Sequence, residues 1–348
     1  MIRPNVSYCE DVKDVHYNPI LHDYSQDYFT TVALEEGEIT FTPKNSNVVS
    51  YSIDNGNTWV VGNSVNVESG AKIIWKGVMT PSYYYGIGSF SSTCNFEAQG
   101  NTMSLLFGDD FKNQLSLEGK NYAFYSLFSG ATKVISAENL IFPATNLQSY
   151  CYSSMFYGCT SLTSAPQLPA TTLAEGCYGS MFYGCTSLTS APQLSATTLV
   201  SNCYQRMFYG CTSLTSAPQL STTTLVSNCY QQMFQGCTSL TTAPELLATN
   251  LQSYCYSSMF YGCTSLTTAP ELPATTLANG CYNFMFSGCT SLNYIKAMFT
   301  TEPSSTYTNK WVNGVAASGT FVKNSAATWD VRGANGIPNG WTVETASE

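Results

Sequence analysis

Cys151-Tyr152-Ser153-Ser154-Met155-Phe156-Tyr157-Gly158-Cys159-Thr160-Ser161-Leu162 returns, with small changes, every 26 residues. Phe156, Phe182, Phe208, Phe234, Phe260 and Phe286 mark the beat, and Asn146 to Thr163 is identical to Asn250 to Thr267, four periods on. A fixed period of this length signals a solenoid, in which each copy buries its apolar face only against its neighbours. Such a stack tolerates the copying of whole blocks, because each unit touches only the next.

Two kinds of local structure are expected within a unit. Cys151 with Met155, and Tyr152 with Phe156, lie four apart, so residues 147–156 predict a helical turn or two with one broad apolar face, closed by Gly158. Residues 162–168 predict a short extended stretch. Pro166 and Pro192 disfavour helix there and cannot donate to a ladder, so the strand should be short or irregular. One strand and one helical segment per unit give a mixed α/β leucine-rich-repeat solenoid. At about 4.8 Å per unit, the regular copies would stack into a rod or arc roughly 30 Å long.

The flanks divide by pattern. Residues 1–26 are polar, acidic and Tyr-rich, with Pro4 and Pro19, and look like an arm or attachment segment. Residues 27–100 read as a small β-sandwich: Glu38-Ile39-Thr40-Phe41-Thr42 alternates, Asp54-Asn55-Gly56-Asn57 is a hairpin signal, and strands follow at 58–61, 64–67 and 72–76. Tyr83-Tyr84-Tyr85 leads out of it. Residues 101–150 read as an N-terminal cap with a degenerate repeat, 151–299 as the solenoid and 300–348 as a β-like C-terminal cap over the last edge.

Composition narrows the function. Charged residues are 10% of the chain and the formal net charge is −9. Without a basic patch nothing neutralises phosphates, so nucleic acid is no partner. No apolar run is long enough for a membrane span, and Met1 to Tyr8 lacks the apolar core of a signal peptide. His16 and His22 are the chain's histidines, so residues 27–348 hold none to activate a serine. Paired carboxylates flanking a cleft are missing too. The expectation is a protein that is no enzyme, with no catalytic residue, metal site or cofactor.

Twelve of the 14 cysteines form two columns, headed by Cys151 and Cys159. Eight helical residues separate the two by roughly 12 Å, beyond the roughly 7 Å a disulfide spans. Ala123 and Ala131 take these places in the degenerate first unit. A position that accepts Ala wants a small buried apolar group, and free Cys behaves as one. Buried thiols are favoured over disulfides or metal.

The units resemble the BspA-like leucine-rich repeats of gut Bacteroidetes surface proteins and their phages. So do the flanks Tyr51-Ser52-Ile53-Asp54-Asn55-Gly56-Asn57-Thr58-Trp59, Ile73-Ile74-Trp75-Lys76-Gly77 and Gly319-Thr320-Phe321-Val322-Lys323-Asn324. The resemblance covers residues 27 to 348 and implies adhesion or recognition at a surface without catalysis. Bacterial members usually carry an export signal; the start read here favours a virion fibre or decoration protein, with 1–26 holding it to another virion protein. A bacterial adhesin and a plain structural spacer are the alternatives.

Comparison of the units locates the candidate ligand contacts. Apolar columns barely change, whereas Tyr157, Tyr183, Tyr209, Gln235, Tyr261 and Ser287 form one variable column, and Ser154, Ser180, Arg206, Gln232, Ser258 and Phe284 another. Tyr157, Tyr183, Arg206, Tyr209, Gln232, Gln235, Tyr261 and Phe284 are the candidates for contact with a host surface glycan or protein. Tyrosine is a rigid amphipathic contact residue, although the same column could simply pack along the stack. The expected location is a virion or an extracellular surface, and an oligomer is compatible with the sequence.

Overall fold

The computed structural model describes residues 23–346. Most of the expected arm, including Cys9, His16 and His22, lies outside the described residues. Two sheets open the fold. One carries β1 (Phe29–Ala33), β3 (Val49–Ser52), β4 (Val60–Val61), β6 (Lys72–Gly77) and β8 (Phe96–Asn101), which pair in the order β8-β1-β6-β3-β4. The other orders β5 (Ser64–Val67), β2 (Gly37–Pro43) and β7 (Gly88–Ser92). Phe90 of β7 joins them, with ring centroids 5.0 Å from Phe29 of β1, 5.3 Å from Trp75 of β6 and 4.8 Å from Phe41 of β2.

The first sheet starts the solenoid. β8 also pairs, in parallel, with β9 (Val134–Ser136) and β10 (Leu140–Ile141). Single parallel bridges then carry the strand column from coil to coil: Ser136 to Ser164, Ser190 to Ser216, Ser216 to Thr242 and Thr268 to Tyr294. They remain single bridges because a proline two residues on, such as Pro166, has no N–H to continue the ladder. Where proline is missing the bridges widen into a parallel sheet of β11 (Tyr294–Ala297), β12 (Thr320–Lys323) and β13 (Thr342–Thr345).

The mixed α/β class is wrong. Among the described residues the one α-helix is α1 (Ser104–Phe107), of four residues, and 147–156 is not helical. It is a chain of overlapping turns whose backbone donors alternate between two destinations. Cys151, Ser153, Met155, Tyr157 and Cys159 donate to the carbonyl three residues back. Tyr150, Tyr152, Ser154, Phe156 and Gly158 donate instead to Glu175, Cys177, Gly179, Met181 and Tyr183 of the next coil, at 2.7–3.0 Å. A helix would keep every donor within its own segment.

This alternation needs a left-handed residue every fourth position: Tyr150, Ser154 and Gly158 have φ of 56°, 55° and 70°. The side chains between them point inward in pairs, so Cys151, Tyr152, Met155, Phe156 and Cys159 are all fully buried. The same ladder extends beyond the regular repeats. Gly130 donates to Tyr157 before them, and Phe286 to Trp311 and Gly288 to Asn313 after them.

Burial in register stacks the rings. Phe156 to Phe286 form a column with centroids 5.5–5.8 Å apart. Phe128 continues it at 5.1 Å from Phe156, then reaches Phe90 of the sheets at 5.5 Å. Sheets and solenoid therefore share one core.

The thirteen described cysteines are free and buried. In the second column each thiol donates to the carbonyl of the preceding coil's core phenylalanine, from Cys159 to Phe128 through Cys289 to Phe260, at 2.9–3.1 Å. Burial pushes the Cys151, Cys281 and Cys289 thiols up to about 12 and Cys229 to about 11. Thiolate is the reactive species, so iodoacetamide at neutral pH should leave all twelve column cysteines unmodified in folded protein and alkylate them in guanidinium. Peptide mass spectrometry reads this; labelling of any column cysteine in folded protein contradicts the packing.

The loop between β3 and β4 is organised by one carboxylate. Asp54 accepts from the Ser52 hydroxyl at 2.6 Å, the Thr58 N–H at 2.9 Å and the Thr58 hydroxyl at 2.7 Å, and Ser52 also accepts the Gly56 N–H. The hydrogen bond from Ser52, followed by those from Thr58, holds the Asp54 pKa at about 2, below its ordinary value. A depressed folded pKa contributes stability that is present above the unfolded value of about 3.9 and is lost as pH falls through about 2. Thermal melts from pH 5 to pH 2 should show wild type losing its advantage over Asp54→Asn across that window; parallel curves would contradict the assignment.

Candidate recognition surface

The turn ladder that buries Tyr152 and Phe156 turns Ser154 and Tyr157 outward. Ser154, Ser180, Arg206, Gln232, Ser258 and Phe284 occupy the left-handed position, with φ between 54° and 58°. Residues three further on form the adjacent column that includes Tyr157. The two columns run side by side along one edge of the stack.

Tyr157, Tyr183 and Tyr209 stack with centroids 4.5 and 4.4 Å apart and planes within 11°. They cover one another's faces, so this ladder shows ring edges and hydroxyls. Burial, followed by the flanking Tyr209 and Tyr157, raises the Tyr183 pKa, which keeps its phenol neutral at ordinary pH. A polar seam continues the ladder. Gln235 Nε2 donates to the Tyr209 hydroxyl at 3.3 Å, Gln232 Nε2 to Gln235 Oε1 at 2.9 Å and Arg206 Nε to Gln232 Oε1 at 2.7 Å.

Six of the eight candidates are thus brought into one connected ribbon. Tyr261 lies further along, between Gln235 and Ser287 of the neighbouring coils, and is 40% exposed. No aromatic neighbour in its column covers its faces. Phe284 is half-buried at the far end of its own column. The unit comparison missed Gln205, whose Nε2 donates to Gln231 Oε1 at 2.5 Å beside Arg206 and Gln232. The same signal could have found it, because Ser153, Gly179, Gln205, Gln231, Ser257 and Asn283 also vary.

Left-handed backbone costs a side-chain-bearing residue about 1–2 kcal/mol, and Asn and Gly tolerate it best. Neither occurs in the Arg206 column, whereas Gly176, Asn202, Asn228 and Gly280 occupy the other left-handed column four residues earlier. Arginine, glutamine and phenylalanine are therefore not there for the backbone's sake.

The profile of the BspA type leucine rich repeat region matches in six copies, over residues 120–241 and 149–293. Together these stretches cover half of the chain. It belongs to the BspA-type leucine-rich repeat family. BspA-type repeats are generally binding and adhesion repeats, so membership points to a binding role at a surface. No curated protein and no solved structure matches the chain.

If the BspA-type ribbon is kept for contact, replacing its costly residues should leave the fold intact. Arg206→Asn and Gln232→Asn should each keep unfolding free energy within about 1 kcal/mol of wild type, whereas Phe208→Ala should cost about 3–5 kcal/mol. Guanidinium unfolding measures both, and a loss at Arg206 rivalling that at Phe208 would make the column structural.

Proposed function

We propose that the protein is a non-enzymatic recognition protein, carried on a virion as a fibre or decoration protein. The edge ribbon attaches it to a host surface glycan or protein, and residues 1–26 tie it to another virion protein. One observation carries the reading: coils with unchanging cores differ from one another along the exposed ribbon. Packing asks only for a side chain that clears the next coil, and Ser154, Ser180, Ser258 and Ser287 meet that need in single coils. Tyrosine, arginine and glutamine add hydrogen-bonding groups and rigid contact area at modest entropic cost. Scarce charge leaves these groups to recognise a ligand by shape and hydrogen bonding.

Serine already serves in both columns, so a ribbon variant can be built from the protein's own alternatives. Tyr157→Ser, Arg206→Ser, Gln232→Ser and Tyr261→Ser combined should lower adhesion to host cells at least tenfold without moving the melting temperature by more than a few degrees. Flow cytometry with labelled full-length protein reads the first and calorimetry the second. A correctly folded variant that adheres like wild type would overturn the ribbon as the contact surface.

A further inference from the structure

A second aromatic surface lies where the sheets meet the first coils, apart from the ribbon. Ser82 to Gly86 closes on itself: the Ser82 and Gly86 backbones exchange hydrogen bonds at 2.9 and 3.1 Å. Gly86 presses this loop against the first coil. A Cβ there would fall 2.6 Å from the Tyr125 carbonyl oxygen and 3.1 Å from that of Tyr122. The loop tip, Tyr83-Tyr84-Tyr85, is thereby held over the coil with the three side chains 66%, 55% and 63% exposed.

The rings form a built cluster. Tyr122 is its buried floor and stacks on Tyr150 of the next coil at 5.2 Å, with planes 6° apart. Tyr83 and Tyr84 meet Tyr122 edge-on, at 4.9 and 5.4 Å, and meet each other at 4.0 Å and 63°. Tyr125 adds an edge at 5.7 Å. Their contacts with the cluster are all edge-to-face rather than stacked, and Tyr83 and Tyr84 keep more than half of their surface exposed, unlike the stacked Tyr157 ladder. Hydroxyls line the rim: Tyr83 donates to Tyr84 at 3.0 Å and Tyr150 to Glu175 Oε1 at 3.2 Å. Lys44 approaches the Tyr85 ring at 6.0 Å.

Backbone economy does not account for these tyrosines. Tyr84, Tyr122 and Tyr150 all have positive φ, of 62°, 60° and 56°, which bulky residues rarely accept. The column of Tyr122 and Tyr150 holds glycine or asparagine in four later coils. Tyr254 is the one later tyrosine there; it comes with the repeated block and lacks the Tyr83–Tyr85 loop above it.

We propose that Tyr83, Tyr84 and Tyr122, rimmed by Tyr85, Tyr150 and Glu175, form a binding site for a neutral oligosaccharide. Exposed aromatic rings carry negative quadrupole charge on their faces and suit the C–H face of a sugar ring, while the phenols and Glu175 suit its hydroxyl rim. Size favours a sugar over a protein. The three exposed tyrosines offer on the order of 400 Å², about half of the ~800 Å² each partner conceals in a standard protein interface.

The test uses full-length protein on an array of neutral and acidic oligosaccharides, with calorimetric titration of the strongest neutral glycan. Wild type should bind a neutral glycan, and Tyr83→Ala/Tyr84→Ala should weaken that binding at least tenfold at unchanged melting temperature. Tyr254→Asn and the serine variant of the ribbon should bind it like wild type. Binding of acidic glycans alone, no glycan binding at all, or equal binding by the Tyr83/Tyr84 variant would each overturn the proposal. Loss in the ribbon variant instead would assign the sugar to the ribbon and also overturn it. Host-cell adhesion of the ribbon variant is read separately, so failure here leaves the ribbon's own test standing.

Discussion

Everything in the solenoid follows from where alternate backbone N–H groups go. One closes a turn within its coil; the next crosses to the neighbouring coil. No coil can satisfy its backbone alone, so order in each depends on the next, and the sheet edge at β8 supplies the first template. The same alternation fixes a left-handed residue every fourth position and points the residues between them inward in pairs. The pairing explains the Cys-Tyr and Met-Phe doublets, and the stacking in register explains why the columns hardly vary. Cysteine suits the second column because it packs like a small apolar group and its thiol still reaches the carbonyl of Phe128 or its equivalents.

The period was legible in the sequence; the local conformation was not. Cys151, Met155 and Cys159 are spaced by four, and across two such steps a four-residue period departs from a 3.6-residue helix by only about 80°. The eye fits either. Composition held a better signal. Gly158 and its equivalents stand eight residues beyond a column containing Gly176, Asn202, Asn228 and Gly280. A helix interior disfavours both residue types by as much as about 1 kcal/mol for glycine, whereas left-handed turns favour them. Two columns rich in Gly and Asn, eight residues apart, are thus evidence for a turn ladder.

Surface columns were legible for the opposite reason, because comparing units exposes whatever packing does not dictate. That is how Tyr157 and Arg206 stand out. It could not reveal that Tyr183 stacks between two tyrosines while Tyr261 has no aromatic neighbour in its column, since this depends on which coil carries which neighbour. Nor could it reveal the cluster around Tyr122. Its members come from a loop and two coils separated by about forty to seventy residues, and they meet because Gly86 lets the loop touch the first coil.

The identical blocks at 146–163 and 250–267 separate what a coil determines from what its surroundings determine. Tyr150 and Tyr254 have φ of 56° and 55°, and each ring lies over a glycine of the next coil, Gly176 or Gly280, where a Cβ would fall 2.3 Å from the ring. The copied sequence thus reproduces the local geometry. Yet Tyr150 stacks on Tyr122 beneath the Tyr83–Tyr85 loop, while the same place in the coil before Tyr254 holds Asn228. A solenoid can therefore duplicate a coil with its folding intact, because the ladder requires only a neighbour of the same kind. Recognition depends instead on which side chains the adjoining coils and loops bring alongside, so copying a block lengthens the stack without copying the surface.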